Sequence, residues 1–262
     1  MRAFYPGLHQ PADAANFERA CISINRVRGR KKPVKCKKVI IDSGAFTELL
    51  LHGAYRHGVH VYAAELYRLW TDGVVQIEIA VAQDYMCEPF MLEKTGMTVE
   101  DHQRLTIERY DALTEELDRL FGGRCPFPVM PVLQGYAPAD YVRHIEMYGD
   151  RLKPGMWVGV GSVCKRNGSP EKIVEVLSAI HSVRPDLLLH GFGVKQTALQ
   201  NSGVRQLLDT ADSMAWSFAA RKQGRDGNSW LEAKAFADRI AATAARAAEW
   251  WQAPLPLWRI AA

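Results

Sequence analysis

The sequence has no CxxC pair, no apolar run long enough to span a bilayer, and no cysteine at all after Cys164. Its five cysteines, Cys21, Cys36, Cys87, Cys125 and Cys164, are odd in number and widely scattered. That excludes a disulfide framework or a zinc knuckle and reads as reduced thiols. The N-terminus, Met1-Arg2-Ala3-Phe4-Tyr5-Pro6, lacks the apolar core of a signal peptide, so the expected setting is the cytoplasm and no membrane partner is implied. Acidic residues are missing from one stretch. Arg26, Arg28, Arg30, Lys31, Lys32, Lys35, Lys37 and Lys38 follow one another with no Asp or Glu between, on a chain whose net charge is only +4. Such a block is either a solvated loop or a polyanion site, and phosphate backbone is the anion it would suit.

What is present is ample apolar material. With 262 residues, 48% of them hydrophobic, the chain can bury a large core, and residues 1–262 read as a single domain. Eight strands are expected, at 2–5, 20–24, 39–42, 74–82, 129–133, 157–160, 187–189 and 210–215. Helices are expected between most of them: 12–19, 61–70, 98–121, 140–148, one opening at Ser169-Pro170, 199–208, and a C-terminal helix over 229–251. Thr98 with Asp101 and Ser229 with Glu232 look like capping boxes. Alternating strands and helices make a (β/α)₈ TIM-type barrel with a helical C-terminus the leading α/β architecture, and a doubly wound open sheet the competing one.

In such a barrel the residues just past each strand gather at one mouth. His9, Asn25, Asp42, Asp84, Gln134, Gly161, His190 and Asp212 would then share a cavity, with the basic block on its rim. Lys165, Arg166, Lys195, Arg221, Lys222 and Arg225 follow the later strands and would extend that rim. The centre is Val39-Ile40-Ile41-Asp42-Ser43-Gly44-Ala45-Phe46, where a buried strand delivers an acid, a hydroxyl and a glycine turn. Each residue also has a structural reading. Asp84 could cap a turn, Gln134 could satisfy a loop carbonyl, and His190 could be a satisfied core histidine. Asp209 competes with Asp212, while Trp216, Trp250 and Trp251 suit packing.

Asp42-Ser43-Gly44-Ala45-Phe46 resembles the Asp-Ser-Gly-Gly-aromatic motif of the tRNA-guanine transglycosylases. The order Asp84, Gln134-Gly135, Gly161, Gly191-Phe192-Gly193 and Asp212 is similar to that family too. Gly7-Leu8-His9-Gln10-Pro11 and Ser23-Ile24-Asn25-Arg26 are most similar to its DNA-modifying branch, the 7-deazaguanine DNA transglycosylases called DpdA. The resemblance implies Asp212 as the nucleophile that attacks C1′ and expels guanine, and Asp42 as the general acid/base. It implies Asp84 as acceptor for the guanine N1–H and amine, and Gln134 with the Gly161 N–H as donors to O6. Ser43 and Gly135 belong to the matching motifs and would line the site, while Phe46 and His190 would sandwich the base. Arg26, Arg28, Arg30, Lys31, Lys32, Lys35, Arg221 and Lys222 would hold nucleic acid.

The chemistry supports these residue types. Displacing a purine needs a carboxylate to attack and hold the oxocarbenium-like carbon, as in retaining glycosidases, and the base must be flipped out or presented single-stranded. The resemblance implies no cofactor, DNA and a free 7-deazaguanine as substrates, and it leaves open an ATP-driven partner that opens the duplex. Three departures stand out. The clustered cysteines of a tRNA-enzyme zinc site are missing, so no metal is expected; Ala45 replaces the second glycine; Arg221 lies further past Asp212 than the tRNA enzymes' arginine. With no appended RNA-binding domain expected, DNA is preferred over tRNA. Exchange on tRNA and a non-catalytic nucleic-acid-binding subunit are the alternatives.

Overall fold

The computed structural model describes residues 1–166 and 168–252; the side chains of Lys165 and of residues 244–252 fall outside the described set, and with them those of Trp250 and Trp251. Nine short strands are present among the described residues: β1 (Ala3–Pro6), β2 (Arg19–Ser23), β3 (Lys38–Asp42), β4 (Ile77–Val81), β5 (Val129–Met130), β6 (Val132–Leu133), β7 (Trp157–Val160), β8 (Leu188–Gly191) and β9 (Thr210–Ser213). All paired strands run parallel, in two sheets ordered β2-β3-β4-β5 and β1-β9-β8-β7-β6. The expected strand 129–133 is divided at Pro131, which has no N–H to give to a ladder. The carbonyls there still pair: Ala82 N–H donates to Met130 at 3.0 Å and Gly159 N–H to Pro131 at 2.9 Å. At the other seam Gly7 bridges Cys21, and Leu8 N–H donates to the Cys21 carbonyl at 3.1 Å.

β3 shows why a run without alternation becomes a strand covered on both sides. Val39 and Ile41 pack outward with Tyr62 and Leu66 of the helix Val59–Thr71. Ile40 faces the other way, into a cluster with Tyr5, Cys21, Ile79, Val81, Met130 and Val132 drawn from six strands of both sheets. All three β3 side chains are fully buried, and each contributes roughly 1.5–3 kcal/mol. The long helix Val99–Leu120 begins as expected, with a reciprocal cap: Asp101 N–H to Thr98 Oγ1 and Thr98 N–H to Asp101 Oδ2, both 3.1 Å.

Several boundaries differ. β4 starts at Ile77 rather than 74, because the Val74 and Val75 N–H groups close the preceding helix on the Leu69 carbonyl. The expected helix over 199–208 is two short ones, Gln196–Leu199 and Ser202–Leu207, the second capped by Asn201. The segment after β1 is a 3₁₀ turn, Pro11–Asn16. Three short helices, Ala45–His52, Pro89–Thr95 and Ala215–Lys222, occupy stretches where none was expected, each on the chain leaving a strand. Among the described residues no helix is long and apolar enough to cross a membrane.

Candidate active site

With all strands parallel, their C-terminal ends face one way, and a cavity of about 380 Å³ opens there. Asp42, Asp84, Gln134, Gly161 and Asp212, from the ends of β3, β4, β6, β7 and β9, all line it, together with Phe46. Five residues scattered over 170 positions of sequence are thus brought to one hollow.

Asp42 closes β3, and Gly44 then takes a left-handed backbone, φ 79°, so that its N–H returns to Asp42 Oδ2 at 2.9 Å. A Cβ at Gly44 would lie 2.5 Å from Asn25 Nδ2, so both the angle and the space demand glycine. Burial and the neighbouring Asp212 charge push the Asp42 carboxyl up to about 6, against the pull of the Gly44 N–H and the Ser23 hydroxyl. Asp84 rises further, to about 7, through burial and the Asp42 charge. Its Oδ2 takes the Gln134 amide at 2.5 Å, and Ser43 Oγ donates to Oδ1 at 3.5 Å.

Gln134 is held from behind. Its Oε1 accepts from Ser162 Oγ at 2.9 Å, and Ser162 Oγ accepts from Cys87 N–H at 3.2 Å, so the amide nitrogen is aimed at Asp84. Ser162 adopts a left-handed φ of 58°, a strain of about 1–2 kcal/mol kept by this pair of bonds. Asp212 accepts Gly193 N–H on Oδ1 at 3.1 Å, and its carbonyl accepts Val194 N–H at 2.9 Å. Asp209 is structural: it pairs with Arg2 at 3.1 Å and accepts Leu189 N–H, at the opposite end of β9.

Four expectations are corrected. The Gly161 N–H is spent in the sheet on the Leu133 carbonyl at 2.9 Å and is not a free donor. What Gly161 provides is room: a Cβ there would sit 2.1 Å from Gln134 Nε2. Gly135 lies behind the wall, where a Cβ would meet Asp140 at 2.7 Å. His190 is fully buried and does not line the cavity; Phe192, two residues on and so on the same side of the strand but nearer the mouth, is in the wall instead. His190 Nδ1 lies 2.8 Å from Thr210 Oγ1, and its Nε2 is 3.4 Å from Asp212 Oδ1.

The basic block is the fourth. Its connection must travel back to the start of β3, so only one end can stand at the mouth. Arg26 is there, close enough with Arg221 to depress the titration of His9 beyond the effect of burial. Lys35 instead lines a separate hollow with Glu18, Gly73 and Gln76, just before β2 and β4, and Val34 N–H donates to Val74. Arg28, Arg30, Lys31 and Lys32 lie along the return path, Arg30 Nε donating to the Lys32 carbonyl. Lys222 is exposed on the helix Ala215–Lys222, on the mouth side.

Sequence reasoning missed Ser162, Met86 and Met214, all in the cavity wall, and Tyr55, whose hydroxyl donates to the Asp84 carbonyl at 2.9 Å. The available signal was that Ser162 and Met214 stand within two residues of a strand end. Trp216 packs as a core residue, its Nε1 on the Gly7 carbonyl at 2.8 Å.

This set of strand-end acids and amide can be compared with known families, and the sequence model of DeoxyPurine in DNA protein A, DpdA, matches residues 2–254. The chain belongs to the DpdA family. No curated protein matches it by sequence. DpdA membership makes the chain a DNA-modifying transferase of the 7-deazaguanine transglycosylase type, with DNA as its macromolecular substrate.

Proposed function

We propose that the protein replaces guanine in DNA with a 7-deazaguanine such as 7-cyano-7-deazaguanine, through a covalent bond to Asp212. The observation that carries this reading is the meeting of Asp42, Asp84, Gln134 and Asp212 in one cavity of a size to hold a purine and its sugar. In the first displacement an Asp212 oxygen bonds to C1′, the C1′–N9 bond breaks, and the departing purine takes its electron pair and a proton from Asp42. In the second, the incoming base gives its N9 proton to Asp42, N9 bonds to C1′, and Asp212 is released. Two inversions retain configuration. Asp84 would accept the N1–H and exocyclic amine of the base, and Gln134 would donate to O6, a pattern adenine does not satisfy. Phe46 offers one stacking face and Phe192 a second wall.

The same reading takes the two sheets as one closed (β/α)₈ barrel in a single domain. Counting residues 129–133 as one strand leaves eight, the Gly7–Cys21 bridge joins β1 to β2, and the interior cluster draws on both sheets. The free cysteines fit a cytoplasmic setting.

The test is incubation of protein, DNA and labelled deazaguanine, digestion to nucleosides, and measurement of label in the deoxynucleoside. Wild type is expected to incorporate label and to form a protein–DNA adduct that survives denaturation; Asp212→Ala should do neither. Label in tRNA alone would move the reading to the tRNA enzymes. Function unchanged in Asp212→Ala would leave a non-catalytic binding subunit, and the requirement for a duplex-opening partner is read by adding ATP and cell extract.

A further inference from the structure

Four aromatic side chains are exposed among the described residues: Phe46, Phe90, Tyr136 and Phe218, at 44, 38, 44 and 54%. Each sits on the chain leaving the C-terminal end of a strand, after β3, β4, β6 and β9 respectively, on the end of the molecule where the cavity opens. Exposed rings gathered at one end form a surface suited to being covered. Tyr136 and Phe218 each carry a cation. The Arg166 guanidinium lies 4.5 Å over the Tyr136 ring, and Lys222 Nζ lies 5.0 Å over Phe218.

Both pairs are tied to the cavity wall. Tyr136 stands two residues beyond Gln134, and Arg166 donates to the carbonyls of Ser162, at 2.8 Å, and Tyr136. A hollow of about 210 Å³ beside this pair is lined by Tyr136, Arg166, Ser169 and Lys172 and brings a second cation. On the other flank Met214 lines the main cavity, and Phe218 and Lys222 follow it at four-residue steps, a spacing that puts the three on one stripe of the helix Ala215–Lys222.

We propose that Tyr136 with Arg166 and Phe218 with Lys222 are stacking platforms for unpaired nucleotides flanking the one in the cavity, so that the DNA bound is a single strand or a locally opened duplex. A base inside a duplex has both faces covered by its neighbours and offers nothing to an exposed ring. An unstacked base offers a full face, and its phosphates match the positive charge of Arg166, Lys172 and Lys222. The inference rests on the reading above that the cavity takes one nucleotide of DNA.

The experiment is fluorescence anisotropy with a labelled single strand of about 15 thymidines, a length near the upper site size for such surfaces, and with the same strand annealed to its complement. The single strand should bind at least about tenfold more tightly than the duplex, and Tyr136→Ala and Phe218→Ala should each weaken it about five- to hundredfold, as loss of one stacked base implies. Tyr136→Trp and Phe218→Tyr should keep the affinity. Lys172→Gln and Lys222→Gln should each lower the salt slope by about one; this second measurement serves if an alanine variant fails to fold by circular dichroism. Equal affinity for the duplex, or wild-type affinity and salt slope in these variants, overturns the inference. Because the probe contains no guanine, the outcome is separable from base exchange: label incorporation without single-strand preference sinks the platforms alone. Platforms without incorporation leave them standing and sink the exchange reading.

Discussion

Gly161 illustrates how a residue without a side chain can set the site. Its N–H belongs to the sheet, so its contribution is the space into which the Gln134 amide extends. Gly161→Ala should displace that amide from both Asp84 and Ser162 while leaving the ladder intact. The expected result is a KM for the free base raised about two- to tenfold, the worth of the neutral hydrogen bond that Gln134 would give to O6, with circular dichroism unchanged. Asp42 and Asp84 make a second prediction. The first displacement needs Asp42 protonated, which is lost as pH rises through about 6, and reading the base needs Asp84 ionised, which is lost as pH falls through about 7. The rate of exchange should therefore be bell-shaped with its maximum between those values, its two limbs belonging to the coupled acids rather than to either alone.

At the scale of elements, the connection from β2 to β3 divides its own charge. A parallel strand pair obliges the chain to return the length of a strand before it can pair again. Arg26 stays at the mouth and Lys35 is carried to the far end. Arg26→Ala should weaken DNA binding and lower its salt slope by about one, whereas Lys35→Ala should leave both unchanged, as read by anisotropy over a salt series. Most strands were legible as short apolar runs followed within two residues by Gly, Pro, Asp or Asn. The helices Ala45–His52, Pro89–Thr95 and Ala215–Lys222 were not, since each is only about two turns long and part of its length is exposed at the mouth. A short helix held by what it packs on carries little of its own period.

For the molecule as a whole, the two raised carboxyls make the site a burden on stability. An acid whose folded-state pKa lies above its unfolded one binds more protons folded than unfolded between the two values. Stability then falls as pH rises through that window, from about 4 to about 7 for Asp84. Asp84 by itself therefore raises the melting temperature from pH 8 to pH 5, against His9, His102 and His144, whose lowered titration works the other way. Asp84→Asn, which keeps a partner for Gln134 without a charge, should be more stable at pH 8 by up to a few kcal/mol and should flatten that dependence. The same pH dependence of melting in Asp84→Asn as in wild type, or a lower melting temperature in Asp84→Asn at pH 8, would contradict this account.

The sequence by itself determined the parallel α/β class, the acids and amide at the strand ends, and the family, because strand periodicity and the Asp-Ser-Gly turn are local properties of the chain. Only the tertiary structure put Asp212 in the cavity and Asp209 at the opposite end of β9, buried His190 below the wall, engaged the Gly161 N–H in the sheet, and sent Lys35 to the far end. Those outcomes depend on register and on how far along a strand each residue sits, and both are set by partners distant in sequence.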